Sequence, residues 1–276
     1  MKVQKLAAAF AAALFVVTCA YAARPSKWLY TALGDSLAVG VFALRGYVPR
    51  YQEYIQNDTR SSVSLRNLAQ NGWTSADLLT ALQTDDNFRS SVRGSAVITW
   101  DIGGNDMRHV REAYKNGTCD DACVAASVEA IKSNWNAIVV EILALRSETA
   151  PPSRTIIRTM NLYNPYVNED MLADSDGDTT SDFDELLPAF RSLNAHIGES
   201  TQAAGILCAD VALAFNGADS REDPAGKGYI AFDGLHPNDT GHKVMADLLR
   251  ALGYQPLSTK AAQTTASCRT VLDPAL

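Results

Sequence analysis

The feature that most constrains this chain is an alternation. Apolar runs of strand length take turns with segments whose apolar residues recur every three or four positions. Trp28–Leu33, Ser64–Leu68, Ala96–Trp100, Thr155–Met160 and Ile206–Val211 read as strands. Ser75–Leu82, Ala122–Arg146, Asp184–Ala203 and Thr240–Leu252 read as helices. The second of these is the clearest, because Val124, Val128, Ile131, Trp135, Ile138 and Ile142 follow one another at helical steps. A chain that runs strand, helix, strand joins its strands by right-handed crossovers, which makes the sheet parallel and covers both of its faces with helices. The expected fold class is therefore α/β, a three-layer α/β/α arrangement. No internal repeat or interdomain linker breaks the pattern, so one domain is expected over residues 23–256, followed by a polar tail, 257–276.

Open parallel sheets bind their ligands beyond the carboxyl ends of the strands. Three polar segments follow expected strands: Gly34-Asp35-Ser36, then Gly72 ahead of the potential helix caps Thr74 and Ser75, then Gly103-Gly104-Asn105-Asp106. A fourth, Asp233-Gly234-Leu235-His236, precedes the last helix. Each alone is ordinary turn chemistry. Together they hold what acyl transfer needs: a hydroxyl, an imidazole to take its proton, a carboxylate to orient the imidazole, and donors aimed at a developing oxyanion. A helix starting near Leu37 would turn its positive end toward that oxyanion. Asp35 reads as a turn-stabilising acceptor.

The four segments, in this order, resemble the blocks of the SGNH (GDSL) hydrolase family: Gly-Asp-Ser, a Gly after the second strand, Gly-x-Asn-Asp, and Asp-x-x-His. The resemblance covers roughly residues 28–252 and implies a flavodoxin-like fold with a parallel sheet of about five strands in the order 2-1-3-4-5. It implies Ser36 as nucleophile, His236 as general base and Asp233 as the residue that orients it. The oxyanion hole would be the Ser36 N–H, the Gly72 N–H and the Asn105 amide. No cofactor enters the chemistry it implies. The stretch Gly34-Asp35-Ser36-Leu37-Ala38 lacks the second glycine of the G-x-S-x-G elbow, which separates the chain from the α/β-hydrolase superfamily. The family handles lipids, short acyl esters and acetylated polysaccharides, so a small-molecule or polymer ester is the implied substrate. Two alternatives stand beside a lipid esterase: a carbohydrate acetylesterase, and an inactive relative that binds ligands in the same cleft. Trp73, Tyr163 and Tyr166 are candidates for the acyl pocket or its rim. Of the other histidines, His242 reads as helix packing, His109 as a possible cleft residue and His196 as structural.

"DSDGDTTSDFDE", residues 174–185, has the oxygen spacing of an EF-hand-type calcium loop: Asp174, Asp176, Asp178, the Thr180 carbonyl, Asp182 and Glu185. Thr179 stands where that loop wants glycine. A structural Ca²⁺ ordering this loop is expected, against the alternative of a solvated acidic insertion.

The first 22 residues read as a secretory signal: Lys2 and Lys5, apolar Leu6–Val17, then Ala20-Tyr21-Ala22 as a small-x-small cleavage site. The apolar stretch is too short to favour a membrane span. The expected product is a secreted or periplasmic monomer. Cleavage removes two lysines and no acid, taking the net charge from −7 to −9, which argues against nucleic acid as a partner. Four cysteines remain, an even number in an oxidising compartment. Three pairings are possible, of which Cys119–Cys123 with Cys208–Cys268 is favoured.

Overall fold

A computed structural model describes residues 26–257. The signal segment 1–22, the tail beyond 257 and Cys268 lie outside the described residues.

Five parallel strands form one sheet: β1 (Lys27–Gly34), β2 (Ser62–Asn67), β3 (Val97–Asp101), β4 (Ile156–Met160) and β5 (Leu207–Ala209). Their order is β2-β1-β3-β4-β5, as the family resemblance implied. Alternation along each strand sends its side chains to two cores. Leu33, Ile98, Trp100 and Ile157 face α3 (Ser75–Thr84), α4 (Asp86–Gly94), α6 (Asp121–Ser147) and α8 (Asp182–Ala203). Tyr30, Ala32, Val97 and Ile156 face α2 (Tyr47–Thr59) and α10 (Asp239–Ala251). The six apolar residues that marked α6 in the sequence are all buried.

Differences from the expected elements have local causes. The fifth strand was expected to reach Val211, but Asp210 accepts a hydrogen bond from the Leu213 N–H and turns the chain into α9 (Val211–Asn216). The last helix is capped by Asn238, which accepts from the Thr240 and Gly241 N–H groups. α1 (Ser36–Val39) is a single turn, closed by Gly40 in the left-handed conformation. The expected helix dipole behind Ser36 is therefore that of one turn, and what remains there is the backbone N–H itself. α2, α4, α5 (Gly104–Lys115) and α7 (Val167–Met171) were not foreseen. Pro49 and Arg50 sit early in α2, and α5 opens inside the Gly-Gly-Asn-Asp segment that reads as a turn.

A disulfide joins Cys119 and Cys123 at the start of α6. No helix among the described residues is long and apolar enough to cross a membrane.

Candidate active site

β1 runs straight into the candidate nucleophile. At its end Gly34 has φ +133, and a Cβ there would sit 2.3 Å from the Asp101 carbonyl oxygen and 2.5 Å from Asp101 Oδ1. Only glycine lets β1 and β3 deliver Asp35 and Asp101 side by side. Asp35 then caps α1, accepting from the Leu37 N–H at 2.9 Å. Ser36 follows, with its Oγ 2.8 Å from His236 Nε2.

The loop between α9 and α10 brings the imidazole. Asp233 Oδ1 accepts from the N–H groups of Leu235 (3.2 Å) and His236 (3.1 Å), and its Oδ2 lies 2.5 Å from His236 Nδ1. Spacing of three residues thus folds the carboxylate back onto the ring nitrogen that faces away from Ser36. Burial raises the Asp233 pKa, but the His236 ring and the two N–H groups outweigh it and hold the carboxyl below its usual value. Tyr163, after β4, fastens this loop by donating its hydroxyl to the Leu235 carbonyl at 2.6 Å. The Phe42 ring lies 5.5 Å from the His236 ring and 4.7 Å from that of Phe232, forming an exposed apolar edge beside the imidazole.

The donor side comes from two other strand ends. Asn105 Nδ2 donates to the Trp73 carbonyl at 2.9 Å, which fixes the amide plane, and a second contact reaches Asp35 Oδ2 at 3.4 Å. Gly72 has φ +79 in the turn closed by Trp73 N–H and the Gln70 carbonyl. Asp106 ties the two segments together, accepting from the Ser75 N–H at 2.8 Å and hydroxyl at 2.6 Å. Ser36, Asn105, Tyr163, Tyr166 and His236 line one cavity of about 480 Å³, counting its open mouth. Trp73 belongs instead to the core, its ring stacked on Phe88.

The remaining histidines separate cleanly. His242 is fully buried, and its Nδ1 accepts the Tyr47 N–H at 3.2 Å. Burial, helped by the charge of Arg50, pushes its pKa down to about 4, so it is a neutral packing residue. His196 bonds Asn136 at 3.0 Å on the helical surface. His109 is exposed and does not line the cavity.

Asp101 is a neighbour that the sequence reading missed. It is the last residue of an apolar strand, so a buried carboxyl there has no periodic signal. Tyr47 donates its hydroxyl to Asp101 Oδ1 at 2.5 Å, and the Asp101 carboxyl feels the charge of the neighbouring Asp35. Both carboxyls are buried. Two carboxyls in one dry site cannot both ionise. Burial raises Asp35 to about 6, while burial together with the Asp35 charge drives Asp101 well above the usual range, so Asp101 keeps the proton. Folded-state pKa values above the unfolded one mean that the native state holds extra protons, so this pair stabilises at low pH and loses that contribution as pH rises through about 6. Asp101→Asn supplies a permanent neutral donor. Its melting temperature relative to the parent is expected to rise between about pH 5 and pH 8, and a difference independent of pH would contradict the shared proton.

The acidic loop assembles only in part. Carboxylate oxygens of Asp174, Asp176 and Asp178 converge within 4.8 Å of one another. Asp182 does not join them: it is buried, accepts from the Ser175 N–H and hydroxyl at 2.7 Å each, and pairs with Lys115 at 3.3 Å. Glu185 is engaged by the Tyr114 hydroxyl. Of the six residues expected to hold calcium, three carboxylates come together, while Asp182 is engaged by Ser175 and Lys115 and Glu185 by Tyr114. Thr179 does adopt the left-handed backbone (φ +81) that a glycine normally supplies at this loop position.

Residues 32–244 match the GDSL-like lipase/acylhydrolase family. The chain belongs to that family. It is a carboxylic ester hydrolase by that membership. A spore germination lipase, LipC, from Bacillus licheniformis is 29% identical over 228 residues, which cover 82% of this chain and 96% of that protein. The crystal structure of lipase Lip_vut3, from a goat rumen metagenome, is similar at 27% identity with a TM-score of 0.69, over 84% of this chain and all of that one. Axe2, an acetylxylan esterase from Geobacillus stearothermophilus, shares the fold at 17% identity and a TM-score of 0.59, over 86% of this chain and 99% of that one. In this GDSL-like chain Ser36, Asn105 and His236, from three of the four motif segments, line one cavity, and Gly72 is not among its lining residues.

Proposed function

We propose that the protein is a secreted serine ester hydrolase that works through an acyl-enzyme on Ser36. The observation that carries this reading is the unbroken run from Asp233 Oδ2 to His236 Nδ1 (2.5 Å) and from His236 Nε2 to Ser36 Oγ (2.8 Å). His236 takes the hydroxyl proton as Ser36 Oγ attacks the ester carbon. Asp233 fixes the ring tautomer and stabilises the imidazolium, which then protonates the departing alcohol. Water, deprotonated by the same ring, releases the acid. The carbonyl oxygen, now negative, is received by the N–H groups of Ser36 and Gly72 and by the amide of Asn105. An inactive binding protein would have no use for an imidazole bridging a hydroxyl and a carboxylate.

Secretion rests on Lys2, Lys5, Leu6–Val17 and Ala20–Ala22, and agrees with a disulfide at Cys119–Cys123, a bond that persists in oxidising compartments. The product is a monomer in this reading. Protein recovered from the medium of a secreting host should begin at Ala23 and hydrolyse p-nitrophenyl butyrate. Purified, folded protein that turns over no ester would sink the assignment.

A structural calcium is retained on Asp174, Asp176 and Asp178, at the entrance to α8. An ion bound only by the folded state stabilises it by mass action. The melting temperature is expected to be higher in calcium than in EDTA, with Asp176→Asn abolishing the difference. Equal melting curves for the parent protein would remove the ion.

A further inference from the structure

A groove of about 510 Å³ runs under the amino-terminal ends of β4 and β5, at the opposite end of the sheet from Ser36. Leu143 of α6, Ile157 and Arg158 of β4 and Leu207 of β5 line it, together with Gln255 and Pro256 from the last described turn. Arg158 is 3% exposed. Its terminal nitrogens donate to the carbonyls of Ile157 (2.8 Å), Gly253 (3.2 Å) and Gln255 (2.7 Å). Its Nε has no partner, and no carboxylate pairs with it, among the described residues. A buried donor left open in an apolar wall calls for an acceptor that the described residues do not supply. β5 is an edge of the sheet, three residues long and paired only with β4 among the described strands. Leu207 on that edge is 45% exposed.

The occupant that fits is the chain's own tail, residues 258–276. The chain leaves the described residues beside this groove, because Gln255 and Pro256 form part of its wall. Cys208 follows Leu207 directly, half-buried against the α6–α8 core and without a disulfide partner among the described residues. Burial, helped by the charge of Asp210, pushes its thiol up to about 12, so in the folded protein it is no thiolate nucleophile. Cys119 and Cys123 are bonded to each other, which leaves Cys268 as its counterpart beyond the signal segment. Eleven residues separate Leu257 from Cys268, a reach of up to about 36 Å, while neighbouring strands lie only about 5 Å apart. Thr270, Val271 and Leu272 come just after Cys268 and suit an apolar groove at a strand edge. A second copy of the chain pairing through β5 would meet an edge of only three residues.

We infer that residues 258–276 dock in the groove below β4 and β5, and that Cys268 is bonded there to Cys208. The sulfur–sulfur bond forms as the two thiols give up two protons and two electrons to a small disulfide such as oxidised glutathione, which departs as two thiols. The docked tail fills the apolar wall and brings backbone carbonyls to Arg158 Nε. It also covers an edge that would otherwise template pairing with another chain.

The test is a tryptic map of the purified full chain, equilibrated with reduced and oxidised glutathione, then denatured and alkylated without reduction. The monomer is expected to yield Ser192–Arg221 linked to Ala261–Arg269, a species that reduction abolishes. Cys208 and Cys268 separately alkylated, or linked only between two chains, would overturn the bond. Cys268→Ser is expected to lower the melting temperature by at least about 4 °C. It should also speed amide exchange over residues 206–209 and 261–269 at least about tenfold. Hydrolysis of p-nitrophenyl butyrate should not change, since the groove lies away from Ser36. Tail amides that exchange at unfolded-chain rates in the parent protein would overturn the docking, and so would a Cys268→Ser protein with parental exchange at β5. The map and the parental exchange need no variant, so the inference stays testable if the serine variant does not fold.

Discussion

Ser36→Ala is expected to lower kcat/KM for a p-nitrophenyl ester by on the order of 10⁴–10⁶ while leaving the melting curve close to that of the parent. The serine is 9% exposed and its hydroxyl holds no structural contact apart from the His236 ring, so its loss should cost chemistry and little stability. His236→Ala is expected to fall as far. The two residues work as one unit, and the double variant should be no worse than either single one. What activity remains would come from the oxyanion donors and from substrate positioning. A folded Ser36→Ala protein with even a tenth of parental activity would mean that another group attacks the ester.

The second large effect is expected at Asn105. Its amide has one N–H committed to the Trp73 carbonyl at 2.9 Å, which orients the group before substrate arrives. A donor already in place is worth most when charge appears on the carbonyl oxygen, so Asn105→Ala should lower kcat by about 10²–10³ with a much smaller change in KM. Asn105→Asp should do worse than alanine. It puts a carboxylate where negative charge develops and beside Asp35, 3.4 Å from the present amide nitrogen. Steady-state kinetics on one short ester separates these outcomes. An alanine variant that changes KM alone would place Asn105 in ground-state binding and remove it from the oxyanion hole.

Much of this was legible because parallel sheets gather function at one end. Ser36, Gly72 and Asn105 follow three strands and could be located by strand counting, and Asp233 and His236 by their spacing ahead of a helix. α6 was legible to within a residue at each end because its buried face repeats over 27 residues. What the sequence hid is mostly tertiary. α2 carries charges and a proline in its first turns, and its burial comes from packing against α10. Asp101 looks like the end of a strand, and its pairing with Asp35 exists only because β1 and β3 are neighbours. The acidic loop shows the opposite failure. Spacing suggested six ligands, but Lys115 and Tyr114, both from the α5 helix that was not foreseen, draw Asp182 and Glu185 away.

The sheet order has one more consequence, which concerns the making of the protein. Ser36 and His236 are 200 residues apart in sequence, and the loop that holds the imidazole is anchored by α10, packed on α2 beside the first strand. During synthesis the amino-terminal strands emerge first. The hydroxyl therefore waits, unarmed, until almost the whole domain has been made and its last helix has closed against its first long one. On the proposed roles, a copy that stops before residue 236 lacks the base and hydrolyses no ester through Ser36.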